Sequence, residues 1–210
     1  IRDAFIKPDS DYIRWIMKYT HTVKGTFIAR PNRFIAIVEI NGQKQTVHVK
    51  NTGRCKELLI PGSTVILSKA EESSRKTAYD LIAVYKKGLG LVNIDSQAPN
   101  RAVKEWLEKQ SFSKLQPEYK FGDSRLDFYL EMGSSRILME VKGCTLEIDK
   151  TGYFPDAPTL RGTRHLKELA KAAAQGYDCY IAFVIQMPKV TKVLPNTATN
   201  PAFSKALQEA

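Results

Sequence analysis

The stretch from Gly122 to Lys142 constrains this chain more than any other part of it. In Leu126-Asp127-Phe128-Tyr129-Leu130 and in Ile137-Leu138-Met139-Glu140-Val141-Lys142 the residues alternate at the period of a β-strand. That period predicts Leu126, Phe128 and Leu130 on one face, and Glu140 and Lys142 together with Val141 pointing away. Between the runs, Met132-Gly133-Ser134-Ser135 carries Gly-Ser at its centre, which suits a tight hairpin. With Gly133 and Ser134 at the apex, symmetric pairing sets Asp127 directly across from Glu140. Facing carboxylates disfavour a sheet by up to about 1 kcal/mol. A divalent cation held by oxygens of both acids would offset that.

Asp on one strand, then Glu-Val-Lys on the next, resembles the PD-(D/E)xK nuclease motif. In that reading Asp127 and Glu140 are ligands to Mg2+ or Mn2+, the Val141 carbonyl is a third oxygen, and Lys142 stands beside the attacking water. So short a pattern also describes two exposed acids and a lysine on a solvent-facing hairpin, so the rest of the chain has to decide.

The charge is uneven. The net formal charge is +10, yet residues 1–90 hold 16 Lys plus Arg against 8 Asp plus Glu, and residues 91–210 hold 16 against 14. The first half therefore suits an anionic partner and the second carries the acids. No run of about 18 apolar residues exists to span a bilayer, and no long basic amphipathic helix argues for a membrane surface. Cys55, Cys144 and Cys179 lack CxxC spacing, which speaks against structural zinc or a disulfide framework and fits a cytoplasmic protein. Met17 is a candidate start, with residues 1–16 an N-terminal extension and no signal peptide.

Five strand-like runs follow: from Thr22, from Phe34, from Gln43 after the hairpin signal Asn41-Gly42, from Thr64 after Pro61-Gly62, and from Tyr79. A short helix is expected near Cys55 to Leu59. This order is that of an OB-like five-stranded β-barrel over residues 17–88, a fold whose open face commonly binds single strands. Candidate nucleic-acid contacts are Lys24, Arg30, Arg33, Lys44, Lys50, Asn51, Arg54 and Lys56, while Phe27 and Phe34 read as core.

Residues 89–210 read as a second, α/β domain beginning after Lys86-Lys87-Gly88. Asn100 is the expected cap of a helix over Arg101 to Lys109 with a core stripe of Val103, Trp106 and Leu107. A strand near Glu118 to Phe121 leads into the hairpin. A Pro-rich loop at residues 152–158 precedes a helix from Thr159 to Gln175, with Leu166, Leu169, Ala170 and Ala173 inward and Gly176 as its stop. Arg161 or Arg164 near its start would hold a non-scissile phosphate, and Asp123 or Glu118 would be a further acid. His165 reads as structural, Asp156 as a cap or a substrate contact, and Cys144 as a small buried residue. The apolar strand Cys179 to Ile185 is expected in the middle of a sheet.

Asn51-Thr52-Gly53, Leu59-Ile60-Pro61-Gly62-Ser63, Asn93, Pro99-Asn100-Arg101, Gly122-Asp123-Ser124-Arg125-Leu126-Asp127-Phe128, Met139-Glu140-Val141-Lys142, Phe154-Pro155-Asp156-Ala157 and Arg161-Gly162-Thr163-Arg164-His165-Leu166 resemble the sugar fermentation stimulation protein family. The resemblance runs from about Met17 to the C-terminus. It implies an OB-like nucleic-acid-binding domain followed by a PD-(D/E)xK nuclease-like domain, in a bacterial or archaeal cytosolic DNA-binding protein linked to sugar metabolism. Two functions stand: metal-dependent hydrolysis of DNA or RNA, or a non-catalytic DNA-binding regulator of sugar metabolism genes. A homodimer is compatible with either.

Overall fold

The computed structural model describes residues 17–51, 53–70 and 75–210, so the expected extension at 1–16 lies outside the described residues. Six antiparallel-linked strands come first: β1 Thr22–Ala29, β2 Ile35–Ile40, β3 Gln43–Val49, β4 Thr64–Lys69, β5 Tyr79–Lys86 and β6 Gly90–Asn93. Their order is β3-β2-β1-β4-β5-β6, and a parallel β3–β5 pairing closes the first five into a barrel. Closure leaves β6 as the added edge strand. The Asn41-Gly42 turn between β2 and β3 has φ of +50° and +77°, the left-handed pair that matches the twist of a two-residue hairpin. Phe27, Val38, Val47, Val65, Leu67 and Leu81 fill the interior, each large side chain contributing about 1.5–3 kcal/mol when fully buried.

Three expectations change here. The short helix near Cys55 is a single turn, closed by the Leu59 N–H on the Cys55 carbonyl at 2.8 Å. Phe34 is not core but 48% exposed, with the Arg33 guanidinium 5.2 Å from its ring centroid. The barrel sheet continues through β6 to Asn93, past the boundary expected at Gly88.

The second half runs α1 Ala98–Leu107, β7 Lys114–Phe121, β8 Ser124–Met132, β9 Ser135–Cys144, β10 Leu146–Ile148, β11 Thr151–Phe154, α2 Leu160–Ala174, β12 Asp178–Ile185, β13 Val193–Pro195 and α3 Pro201–Glu209. The main sheet has the order β12-β9-β8-β7, with β12 parallel to β9, and β10-β11-β13 form a small second sheet. Val103 and Leu107 of α1 pack on Phe128, Leu130, Ile137, Met139 and Val141. Leu169 and Ala172 of α2 pack on Leu126 and Leu138. A helix therefore covers each face of the sheet, the layering that lets an α/β domain bury both sides. Strand β12 is an edge, not the middle. Its apolar run is still explained, because Tyr180, Ala182 and Val184 join the cluster under α1 while Ile181 and Phe183 pack against Phe203 of α3 and Leu166.

The halves share one core. Cys144, Met187 and Val190 of the second half join the barrel cluster with Leu89, Val92 and Ile94. Gln186 stitches the junction, its Nε2 donating to the Asn93 and Asp95 carbonyls at 3.1 and 3.2 Å while its own carbonyl accepts the Asn93 N–H at 2.9 Å. Among the described residues no helix is long and apolar enough to cross a membrane.

Candidate nuclease-like site and basic cavity

The acidic site forms where the central hairpin opens. β8 and β9 pair in the expected register, from Met132 opposite Ser135 to Phe128 opposite Met139, and the ladder stops short of Asp127. On the other side, Pro117 faces Phe128 and Tyr119 faces Leu126, so Asp127 also drops out of the β7 ladder, and Glu118 across from it takes φ +52°. The strand changes face at this point. Leu126 packs under α2 whereas Phe128 and Leu130 pack under α1, which breaks the single apolar face expected for the three.

Released from both ladders, Asp127 turns its carboxylate into the opening. Oδ2 accepts the Val141 N–H at 2.7 Å and Oδ1 accepts Asn100 Nδ2 at 2.6 Å. The N–H and C=O of one strand residue point to the same side, so the Val141 carbonyl faces that opening too. Asn100 is not the cap of α1. Gln97 is, and Pro99 in the first turn places Asn100 inside the helix, aimed at Asp127. A proline at a helix start marks the first turn, and that signal would have found this residue.

Glu140 is held from the opposite helix. His165 Nδ1 and Lys142 Nζ both donate to its Oε1. The Arg161 Nε–H donates to His165 Nε2 at 3.4 Å, which leaves Nδ1 as the protonated nitrogen that meets the carboxylate. Glu140 and His165 are 3% and 2% exposed, and Glu140 Oε2 is buried with no partner among the described residues. Burial alone would raise the Glu140 carboxyl, but the His165 hydrogen bond and the charge of Lys142 outweigh it and hold it below the ordinary value. Asp127 moves the other way, raised first by burial and then by the charge of Glu140. The two acids thus sense each other while one is kept ionised.

The inward face of α2 carries His165, Leu166, Glu168, Leu169 and Ala172, with Ala170 and Ala173 exposed. An apolar stripe alone could not locate it, because two of its members are polar and buried against partners, Glu168 on Lys171 at 2.8 Å. Thr159 caps this helix by accepting the Gly162 N–H at 2.9 Å. Asp156 is therefore not the cap, and its Oδ2 lies 2.9 Å from where a Cβ on Gly53 would be, against the barrel. Glu118 and Asp123 are exposed, Glu118 pairing with Arg125 at 3.1 Å, and neither adds to the acidic pair. Arg164 is exposed on α2.

Among the described residues no three His, Cys, Asp or Glu side chains converge as a metal-ligand set. A cation seated here would take oxygens from Asp127, Glu140 and the Val141 carbonyl and complete its shell with water or phosphate, a donor set that suits Mg2+. The buried partnerless Oε2 of Glu140 fits such a ligand.

The barrel's candidate contacts divide into two groups. Arg30 is a structural cross-link: Nη1 donates to the Gly53 and Arg54 carbonyls at 2.7 and 2.8 Å, and Nη2 to those of Arg33 and Asn51 at 2.8 and 2.5 Å. Asn51 donates to the Ile94 carbonyl at 2.9 Å and accepts the Gly53 N–H at 2.7 Å, and Lys50 pairs with buried Asp80 at 3.2 Å. These three hold the fold together and do not project as phosphate contacts. Lys24, Arg33, Arg54 and Lys56 are exposed. Arg33, Arg54 and Lys56, with Arg30, Asn32, Gly53 and Leu59, line a cavity of about 460 Å³ between the β1–β2 and β3–β4 loops.

Two family models match the chain: the sugar fermentation stimulation protein RE domain over residues 97–210 and the SfsA N-terminal OB domain over residues 28–94. A sugar fermentation stimulation protein homolog of Desulfitobacterium hafniense is 54% identical over 197 residues, covering 92% of this chain and 86% of the relative. The homolog of Ruminiclostridium cellulolyticum is 50% identical over 198 residues, covering 92% and 87%. Among solved structures, SfsA of Pyrococcus furiosus in complex with Ca2+ superposes with a TM-score of 0.82 at 30% identity, covering 93% of this chain and 86% of that one. With both halves matched and relatives this similar over nearly its whole length, the chain belongs to the sugar fermentation stimulation protein family.

Proposed function

We propose that this protein binds DNA through the basic barrel and hydrolyses phosphodiester bonds at the opening beside Asp127, with a divalent cation, Mg2+ or Mn2+, held by Asp127, Glu140 and the Val141 carbonyl. The observation that carries the reading is the Glu140 carboxylate: buried, kept ionised, with one oxygen fixed by His165 and Lys142 and the other without a partner. A purely structural buried acid fills both oxygens, because a partnerless one costs about 1–3 kcal/mol. The Ca2+ bound to the Pyrococcus furiosus relative supports a hard divalent cation in this family. When bound, such a cation polarises the scissile phosphate and lowers the pKa of a coordinated water.

The chain's own groups divide the remaining work. Asn100 and the Val141 N–H fix the Asp127 carboxylate from the α1 side. His165, itself held by Arg161, fixes Glu140 from the α2 side. Lys142 supplies the positive charge that meets the developing negative charge on phosphate.

A non-catalytic DNA-binding regulator is the second reading. It is favoured by the four hydrogen bonds already made by Asp127 and by Glu140 Oε1, which hold the site together without turnover. Incubating plasmid and short single strands with the protein in Mg2+ or Mn2+ decides between them. Cleavage that disappears in Glu140→Gln supports the nuclease, and tight binding with no metal-dependent cleavage leaves the regulator.

A further inference from the structure

Four of the residues that line the cavity between the β1–β2 and β3–β4 loops are cationic, Arg30, Arg33, Arg54 and Lys56. Arg33, Arg54 and Lys56 rim it, and among the described residues no carboxylate pairs with any of them. Cations that line one cavity and pair with no carboxylate repel one another, a cost that an anionic ligand removes.

Arg30 makes the cavity anion-ready in a second way. Its guanidinium takes four backbone carbonyls from the two loops, at Arg33, Asn51, Gly53 and Arg54. Those oxygens would otherwise present negative dipole ends to a ligand. The same bonds lock the two loops to each other, so the backbone that carries Arg33 and Arg54 is fixed before anything binds. The Arg30 side chain also meets the buried Cys55 thiol, which ties it further into the β3–β4 loop. Leu59 adds an apolar wall, and the exposed ring of Phe34 stands next to Arg33 as a surface on which a base can stack.

At Gly53 the cavity wall meets the other half of the molecule, where the Asp156 carboxylate lies against the loop. A strand continuing past this point would carry a phosphate into that acid, so the basic path ends there. An anion that stops in the cavity escapes the repulsion. A terminal phosphomonoester does stop, and it carries a charge of about −1.5 to −2 at neutral pH with three acceptor oxygens. An internal phosphodiester carries a single charge and must continue on both sides.

We propose that this cavity seats a phosphomonoester, the terminal phosphate of a nucleic-acid strand, with Arg33, Arg54 and Lys56 as its ligands and Phe34 against the end base. This deepens the binding role proposed above and rests on it, by making the barrel a reader of strand ends.

The test is fluorescence anisotropy of the whole protein with one single-stranded sequence bearing a 5′-phosphate, a 3′-phosphate or hydroxyls at both ends. Nucleoside monophosphate serves as competitor, and the double variant R54A/K56A serves as control; both positions are exposed, so the barrel core is untouched. One of the phosphorylated strands is expected to bind about tenfold more tightly than the hydroxyl-ended strand, the worth of one or two extra charge-assisted hydrogen bonds. The double variant should lose that advantage, so that phosphorylated and hydroxyl-ended strands bind it equally, while the loss of two cations lowers the affinity of all of them. Equal affinity for all three strands overturns the proposal, as does an advantage that survives in the variant. A nucleoside monophosphate that binds through Arg54 and Lys56 while strands show no end preference overturns the strand-end assignment in favour of a free nucleotide. If no strand binds whatever its ends, the nucleic-acid reading of the protein falls with it, whereas an end-blind binder removes the present inference alone.

Discussion

Asp80 in the barrel and Glu140 in the α/β domain are equally buried, at 3% exposure each, and their surroundings differ in one respect. Asp80 Oδ1 receives His48 Nδ1 at 2.9 Å and Arg75 Nη2 at 2.7 Å, and Oδ2 receives Arg75 Nη1 at 3.0 Å and Lys50 Nζ at 3.2 Å. Both oxygens are filled. Glu140 concentrates its two donors on Oε1 and leaves Oε2 bare. Burial raises both acids, and in both their hydrogen-bond donors together with nearby cations overcome it, so each is held below its ordinary value. Neither depth nor charge state separates Asp80 from the acid proposed as a metal ligand. The distribution of donors over the two oxygens does.

That contrast can be broken or sharpened by substitution. The largest expected effect is on chemistry: Glu140→Gln keeps the shape of the side chain and should lower metal-dependent cleavage by on the order of a thousand-fold, with strand affinity unchanged. Retained cleavage in that variant would remove Glu140 from the mechanism. Next, His165→Ala should weaken binding of Mn2+ by about 10–100-fold in titration calorimetry, because it frees the carboxylate from its orienting donor. Wild-type affinity there would reduce His165 to packing.

Asp80→Asn should leave cleavage per folded molecule alone and lower stability to urea by about 2 kcal/mol, since Arg75 and Lys50 lose their acid and His48 its hydrogen-bond partner. The sign with pH follows from a depressed acid. The stability Asp80 contributes is complete above its ordinary value of 3.8 and is lost as pH falls through its lower folded value, so wild type and variant should converge below about pH 4. The smallest effect belongs to the exposed barrel lysine: Lys24→Ala should weaken strand binding evenly across sequences and reduce the slope of log affinity against log salt by about 1. No change in slope would take β1 out of the contact surface.

Much of this contrast could be read from the residues alone, and the failures share a cause. Gly133-Ser134 set the hairpin register correctly, because turn chemistry fixes which residues face each other. The alternation of Leu126, Phe128 and Leu130 misled, since a strand that changes face at one unpaired residue leaves no mark in its hydropathy pattern. His165 reads as structural, and it is buried against Glu140, a partner distant in sequence that no local pattern names. Arg30 reads as one more basic residue until four carbonyls are seen around it. In each case the decisive neighbour is brought in by the fold, and polar side chains carry no periodic signature that foretells it.

The cysteine, methionine and valine that the C-terminal half lends to the barrel interior have a practical consequence. A cut after Asn93 would strip Cys144, Met187 and Val190 from the lining of the first half and take from Gln186 its hydrogen bonds with Asn93. Neither fragment would then be a faithful miniature of its part of the parent. Chimeras that exchange one half for that of a relative should behave best when the residues lining this seam travel together with the exchanged piece.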